Sequence, residues 1–111
     1  MGLDFSHSDA SWSYSGFCRF RAKLANEIGI DLLSMRGFGG TNLWPKDDIV
    51  LLLNHSDCDG ELTPSQCRRL APRLLELIKN WDEGDYDKRS AMLFAKDLMI
   101  AANNNQTMEF C

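Results

Sequence analysis

The run Thr63-Pro64-Ser65-Gln66 constrains the fold of this chain more than any other. A threonine hydroxyl, and a glutamine three residues on, can each satisfy an amide that the first turn of a helix leaves unpaired. Proline suits the position between them, because its missing N–H would have no partner there and its φ is preset. Behind that start, Cys67, Leu70, Ala71, Leu74, Leu77, Ile78 and Trp81 recur at the spacing of one helical face. The pattern predicts a helix over 64–81. Pro72 lies inside it without an N–H to donate, which predicts a bend there or a break into two helices.

Three further segments carry helical spacing. Ser13 or Ser15 can cap a helix over 15–28 that buries Phe17, Phe20, Leu24 and Ile28, with Gly29 as its left-handed stop. Pro45 opens a helix over 45–54, with Asp47 and Asp48 in its first turn and Ile49, Leu52 and Leu53 as its stripe. After a turn at Asp82–Asp85 comes a helix over 86–102. Ala91, Phe94, Ala95, Leu98 and Ala102 line one side of it; Met92, Met99 and Ile100 add a second. A helix apolar nearly all round is expected at the centre of a fold.

The two ends alternate instead. Leu3 and Phe5 alternate with Asp4 and Ser6, and Met108 and Phe110 with Thr107 and Glu109, so 2–6 and 107–111 are expected to pair as a short ribbon on the helices. Residues 7–15 read as an ordered loop, and Gly37–Gly40 as a connection without the strand, helix and lysine of a phosphate cradle. The expected fold is mostly α, about four helices with a two-stranded ribbon formed by the chain termini, in one domain over 1–111.

Composition narrows the functions. The 111 residues are 44% hydrophobic and 25% charged, as in a globular chain, and the net charge is −4. An acidic domain gathers no phosphate backbone, so no nucleic-acid partner is expected. The basic groups Arg19, Arg21, Lys23 and Arg68, Arg69, Arg73 read as solvated helix faces. No apolar run is long enough for a membrane span and no secretory leader is legible, so a cytoplasmic protein away from membranes is expected. Cys18, Cys58, Cys67 and Cys111 form no paired motif and read as free thiols.

One loop carries chemistry. In His55-Ser56-Asp57-Cys58-Asp59-Gly60-Glu61-Leu62-Thr63, oxygen-bearing side chains alternate, a glycine allows a sharp turn, and an apolar residue follows two places later. Residues 55–66 resemble an EF-hand calcium loop, degenerate in that His55 stands at the first ligand position and Gln66 at the bidentate glutamate position. The resemblance implies a metal set of Asp57, Asp59 and Glu61 that takes calcium weakly. Zinc on His55, Cys58 and Cys67 is a lesser alternative, whose fourth ligand would have to come from His7, Cys18, Cys111 or a carboxylate. Cys58 with His55 and an aspartate has the residue types for nucleophilic catalysis, but adjacent acids oppose thiolate formation. The plain reading is an Asp- and Gly-rich turn that caps the helix at Thr63. The chain as a whole is similar to small uncharacterised bacterial or phage proteins, a resemblance that implies no activity.

Aromatics at Trp12, Tyr14, Phe38 and Trp44 either form a binding surface or pin loops to the core, burial being the favoured reading. The functional expectation is a non-catalytic protein-interaction or regulatory module that needs no cofactor. The alternative is a divalent-metal-binding domain using 55–66.

Overall fold

The computed structural model describes residues 2–57 and 59–111. The elements run β1 (Gly2–Phe5), β2 (Ser8–Ser13), α1 (Tyr14–Glu27), a 3-10 turn (Leu32–Ser34), α2 (Val50–Leu53), β3 (Glu61–Leu62), α3 (Pro64–Ile78), α4 (Tyr86–Asn103) and β4 (Met108–Glu109). The fold is mostly α with two small antiparallel ribbons, β1–β2 and β3–β4.

The chain ends lie side by side. Asp4 and Cys111 exchange N–H···O bonds of 3.0 and 2.9 Å, and Phe5 bridges Phe110. Leu3, Phe5, Met108 and Phe110 are all buried, as their alternation requires. Each end also takes a partner that the alternation does not foretell. Gly2 and Leu3 pair with Ser13 and Trp12 of β2, and Met108 pairs with Leu62 of β3.

The segment expected as a loop at 7–15 is therefore mostly strand. Ala10 and Trp12 face the core from it. Trp12 stacks on Phe20 with ring centroids 4.7 Å apart, and its Nε1 donates to Asp87 at 3.0 Å. Ser8 Oγ donates to Asp97, and Tyr86 Oη to the Ser11 carbonyl, both at 2.7 Å. These bonds lay β2 along one flank of α4.

The helices start where side chains cap them. Ser13 accepts from Gly16 N–H at 3.0 Å to begin α1. Thr63 and Gln66 form the complete capping box of α3, and the helix runs through Pro72 unbroken to Ile78. Trp81 lies beyond its end. The helix expected over 45–54 is only one turn, because Asp47 Oδ1 accepts from Ile49 N–H at 3.0 Å and holds Pro45–Asp48 outside it.

α3 and α4 form an antiparallel hairpin tied at both ends by a cation on a carbonyl. The Lys88 ammonium, in a residue only 4% exposed, donates to the Lys79 and Trp81 carbonyls and to Glu83. Arg68 donates to the Ala102 carbonyl at 3.1 Å. Cations favour the carbonyl end of a helix for the same electrostatic reason. Leu70, Leu74, Phe94 and Leu98 meet in the core with Phe17, Phe20 and Leu24.

α4 is not central. Its inner side is fully buried, but Met92, Leu93 and Ile100 face water. The apolar character all round reflects one face packed and one face free.

Candidate functional site

The loop at 55–66 has the expected frame. Gly60 adopts φ +92°, in the left-handed region that glycine tolerates best. Leu62 enters β3, and Thr63 caps α3, donating its N–H to Gln66 Oε1 at 2.9 Å. Asp57 is half-buried, whereas Asp59 and Glu61 are exposed.

His55 organises this frame from within. Its Nδ1 lies 2.8 Å from the Ser56 carbonyl oxygen and its Nε2 3.0 Å from that of Glu61. Carbonyl oxygens only accept, so the ring's N–H serves one of them, and both nitrogens are turned to the loop backbone. The ring stacks on Phe110 at 3.9 Å, and a Cβ at Gly60 would come within 3.0 Å of its Cε1. Counted from His55, Glu61 is the seventh position, whose backbone carbonyl faces the cation in an EF-hand loop. Here that carbonyl faces the histidine ring. Among the described residues no three His, Cys, Asp or Glu side chains are gathered as a metal set.

Cys67 is fully buried, with Sγ 3.7 Å from the Leu62 carbonyl oxygen. Burial pushes its thiol above the ordinary value, which disfavours the thiolate that zinc or a nucleophile needs. Cys58, the remaining member of both readings, lies outside the described residues.

Arg21 is a residue the sequence concealed. Expected on a solvated face, it is 4% exposed, and its Nη1 donates to the Leu53 and His55 carbonyls. Its guanidinium lies 4.7 Å from the centre of the Phe17 ring and 5.2 Å from that of Phe38. Burial lowers its pKa, the field of Asp57 opposes that shift, and a guanidinium stays charged throughout. Arg21 thus ties the end of α2, and the start of the 55–61 loop, to α1. Its place four residues after Phe17 and three before Leu24, on the buried face, is the signal available in the sequence, and charge obscures it.

A groove of about 770 Å³ opens between residues 45–54 and α3, lined by Lys46, Asp47, Asp48, Leu51, Arg69 and Arg73. Its charges mostly satisfy one another. Arg73 grips both Asp47 oxygens at 2.8 and 2.9 Å and also pairs with Glu76, while Arg69 lies 3.3 Å from Asp48. The hydrogen bond from Arg73 holds the Asp47 carboxyl below its usual range and the guanidinium above its own. Lys23 forms a second cluster with Asp85 and Asp87 beside the Trp81 ring. Burial works against the Lys23 charge, but bonds to Asp85 and Asp87 outweigh it and raise its pKa; the bond from Lys23 lowers that of Asp85.

The aromatics mostly pin loops. Trp12 is buried; Tyr14, Phe38 and Trp44 are half-buried, and Trp44 Nε1 donates to the Arg36 carbonyl at 3.1 Å.

The outward side of α4 differs from all of these. Met92, Leu93 and Ile100 are 46%, 38% and 46% exposed, and Leu75 on neighbouring α3 is 41% exposed. Arg68 and Leu75 are seven residues apart and share a side of α3. Arg68 reaches Ala102 of α4, so Leu75 borders the α4 surface from that flank. No helix is long and apolar enough to cross a membrane among the described residues. Comparison of the chain with protein-family models, curated proteins and solved structures gave no match.

Proposed function

We propose that this chain is a non-catalytic interaction module that binds a protein partner through the outward face of α4. The supporting observation is that Met92, Leu93 and Ile100 are all exposed on the outer arc of a helix whose inner face already fills the core. Clustered exposed apolar side chains mark contact surfaces, whereas single ones need no explanation. Burial of such surface contributes about 25 cal/mol per Å². The shifted ionisable groups support the same reading. Asp47 with Arg73, and Asp85 with Lys23, answer each other across elements, so the carboxylates beside the grooves they border are already engaged.

A photoreactive amino acid placed at position 92, in the source cell, tests this. A discrete adduct with one other protein, absent when the same group stands at exposed Asn104, is the expected result. Adducts at neither position, or equally at both, would contradict the reading.

A further inference from the structure

We infer that the outward face of α4 is a two-heptad docking seam for an amphipathic helix that carries acidic side chains. The inference rests on the interaction reading above and names the partner's chemistry. Met92 and Met99 are seven residues apart, as are Leu93 and Ile100, and so are Arg89, Lys96 and Asn103. With Arg89, Lys96 and Asn103 at the a positions of a heptad, the methionines fall at d, and Leu93 and Ile100 at e. Arg89, Met92, Leu93, Lys96, Ile100 and Asn103 are exposed, and Met99 is half-buried. The seam spans about 21 Å at ~1.5 Å per residue, enough for one partner helix of about four turns.

Charge selects the occupant. Arg89 and Lys96 have no carboxylate within ion-pair distance among the described residues. The adjacent acid, Asp97, accepts from Ser8 on the β2 flank. The seam therefore presents two free cations between two short apolar rows, Met92 with Met99 and Leu93 with Ile100, in a chain whose net charge is −4. A second copy of this chain fits badly. Parallel pairing sets Lys96 against Lys96, and antiparallel pairing brings the cations of both copies together with no carboxylate from either seam. A cation buried without a partner opposes association, whereas a facing carboxylate satisfies it and fixes the register. A partner helix with leucine or isoleucine on its contact face and glutamate or aspartate opposite Arg89 and Lys96 answers both features.

The test is a titration of the isotope-labelled full chain, followed by amide NMR. The probe is a synthetic 18-residue helix whose contact face carries a central row of glutamates between two rows of leucines, matched by a control in which lysine replaces each glutamate. The glutamate peptide is expected to shift amides over 89–103 and to bind at least ~10-fold tighter than the control, as one satisfied charge pair would give. Lys96→Glu with Arg89→Glu is expected to reverse that order while leaving the circular dichroism spectrum unchanged. Equal binding of the two peptides, shifts confined to other elements, or no shift at millimolar peptide overturns the inference. Three other outcomes overturn this occupant alone. Dimerisation of the free chain that Met92→Glu abolishes would assign the face to a second copy. Binding of phosphatidylglycerol vesicles that moves the same amides would assign it to a lipid surface. A cross-link from position 92 to a partner without an acidic amphipathic helix would retain the interaction reading and remove this chemistry.

Discussion

The α3–α4 hairpin and the stretch from residue 29 to residue 62 are held by different means. The hairpin is collective. Leu70, Leu74, Phe94 and Leu98 are all fully buried along two long helices, and Lys88 and Arg68 close its two ends. The 29–62 stretch has one helical turn of 3-10 type and one of α type; Leu32, Ile49, Leu52, Leu53 and Leu62 anchor it in the core, and single side chains hold the loops between them. Asp31 caps the Leu33 amide, Trp44 holds the Arg36 carbonyl, and Arg73 grips Asp47. Arg21 holds two carbonyls at the end of α2, and His55 braces the loop that follows. The hairpin's geometry is therefore overdetermined, while the loops of the other stretch depend on a few side-chain contacts, from Asp31, Trp44 and His55 within it and from Arg21 and Arg73 outside it.

Substitutions separate the two regimes. Phe94→Ala removes a fully buried ring shared by both ribbons and the hairpin. It is expected to cost about 3–5 kcal/mol in chemical denaturation and to lower the protection of all elements together. Arg21→Met keeps the apolar stem but leaves the Leu53 and His55 carbonyls without their donor. The expected cost is about 2–3 kcal/mol, near the low end of ~1–3 kcal/mol for each of the two carbonyls, because the His55 one is only partly buried. Hydrogen exchange should accelerate first over 53–61, with α3 and α4 amides little changed. Loss of protection across both helices at once would show that the two regions are one cooperative unit. Thr63→Ala removes one half of the capping box and is expected to cost about 1 kcal/mol, fraying the first turn of α3.

Acid gives a smaller effect with a definite sign. Asp47 and Asp85 have folded-state pKa values below the unfolded ones, through hydrogen bonds from Arg73 and Lys23 respectively. Their stabilisation is complete above the unfolded carboxylate value of about 3.9 and is lost as pH falls through the lowered folded values. The pairs are partly exposed, with side-chain accessibilities of 29% and 15% for Arg73 and Asp47, and 40% and 27% for Lys23 and Asp85, so solvent screens them. Denaturation midpoints compared at pH 6 and pH 3 should show this loss shrink in Asp47→Asn and Asp85→Asn. An undiminished acid loss would place its origin in other carboxylates.

Legibility followed the same division. The hairpin could be read because its capping box, apolar period and Gly84 turn are local signals that agree with one another. The termini could be read because Leu3, Phe5, Met108 and Phe110 alternate. β2 escaped notice because only Ala10 and Trp12 turn inward, and its serines and Asp9 have the composition of a loop. The helix placed at Pro45 begins at Val50 because the Asp47 carboxylate competes for the Ile49 amide. Arg21 read as solvated because charge is ordinarily a surface property, and the two carbonyls that bury it come from elements more than thirty residues away. In the 55–66 loop the glycine turn and the cap were legible. His55, by contrast, read as a ligand position altered, and the ring's own bonds to the loop carbonyls leave no trace in the spacing.

The fold closes without the outer face of α4. Equilibrium denaturation of the Met92→Ser/Ile100→Ser double variant tests it most directly, since both residues are 46% exposed. The expected change is within about 1 kcal/mol, at ~0.5 kcal/mol for each surface substitution, with an unchanged slope. A loss of about 3 kcal/mol or more, the scale of emptied core positions, would make that face part of the core and contradict the claim.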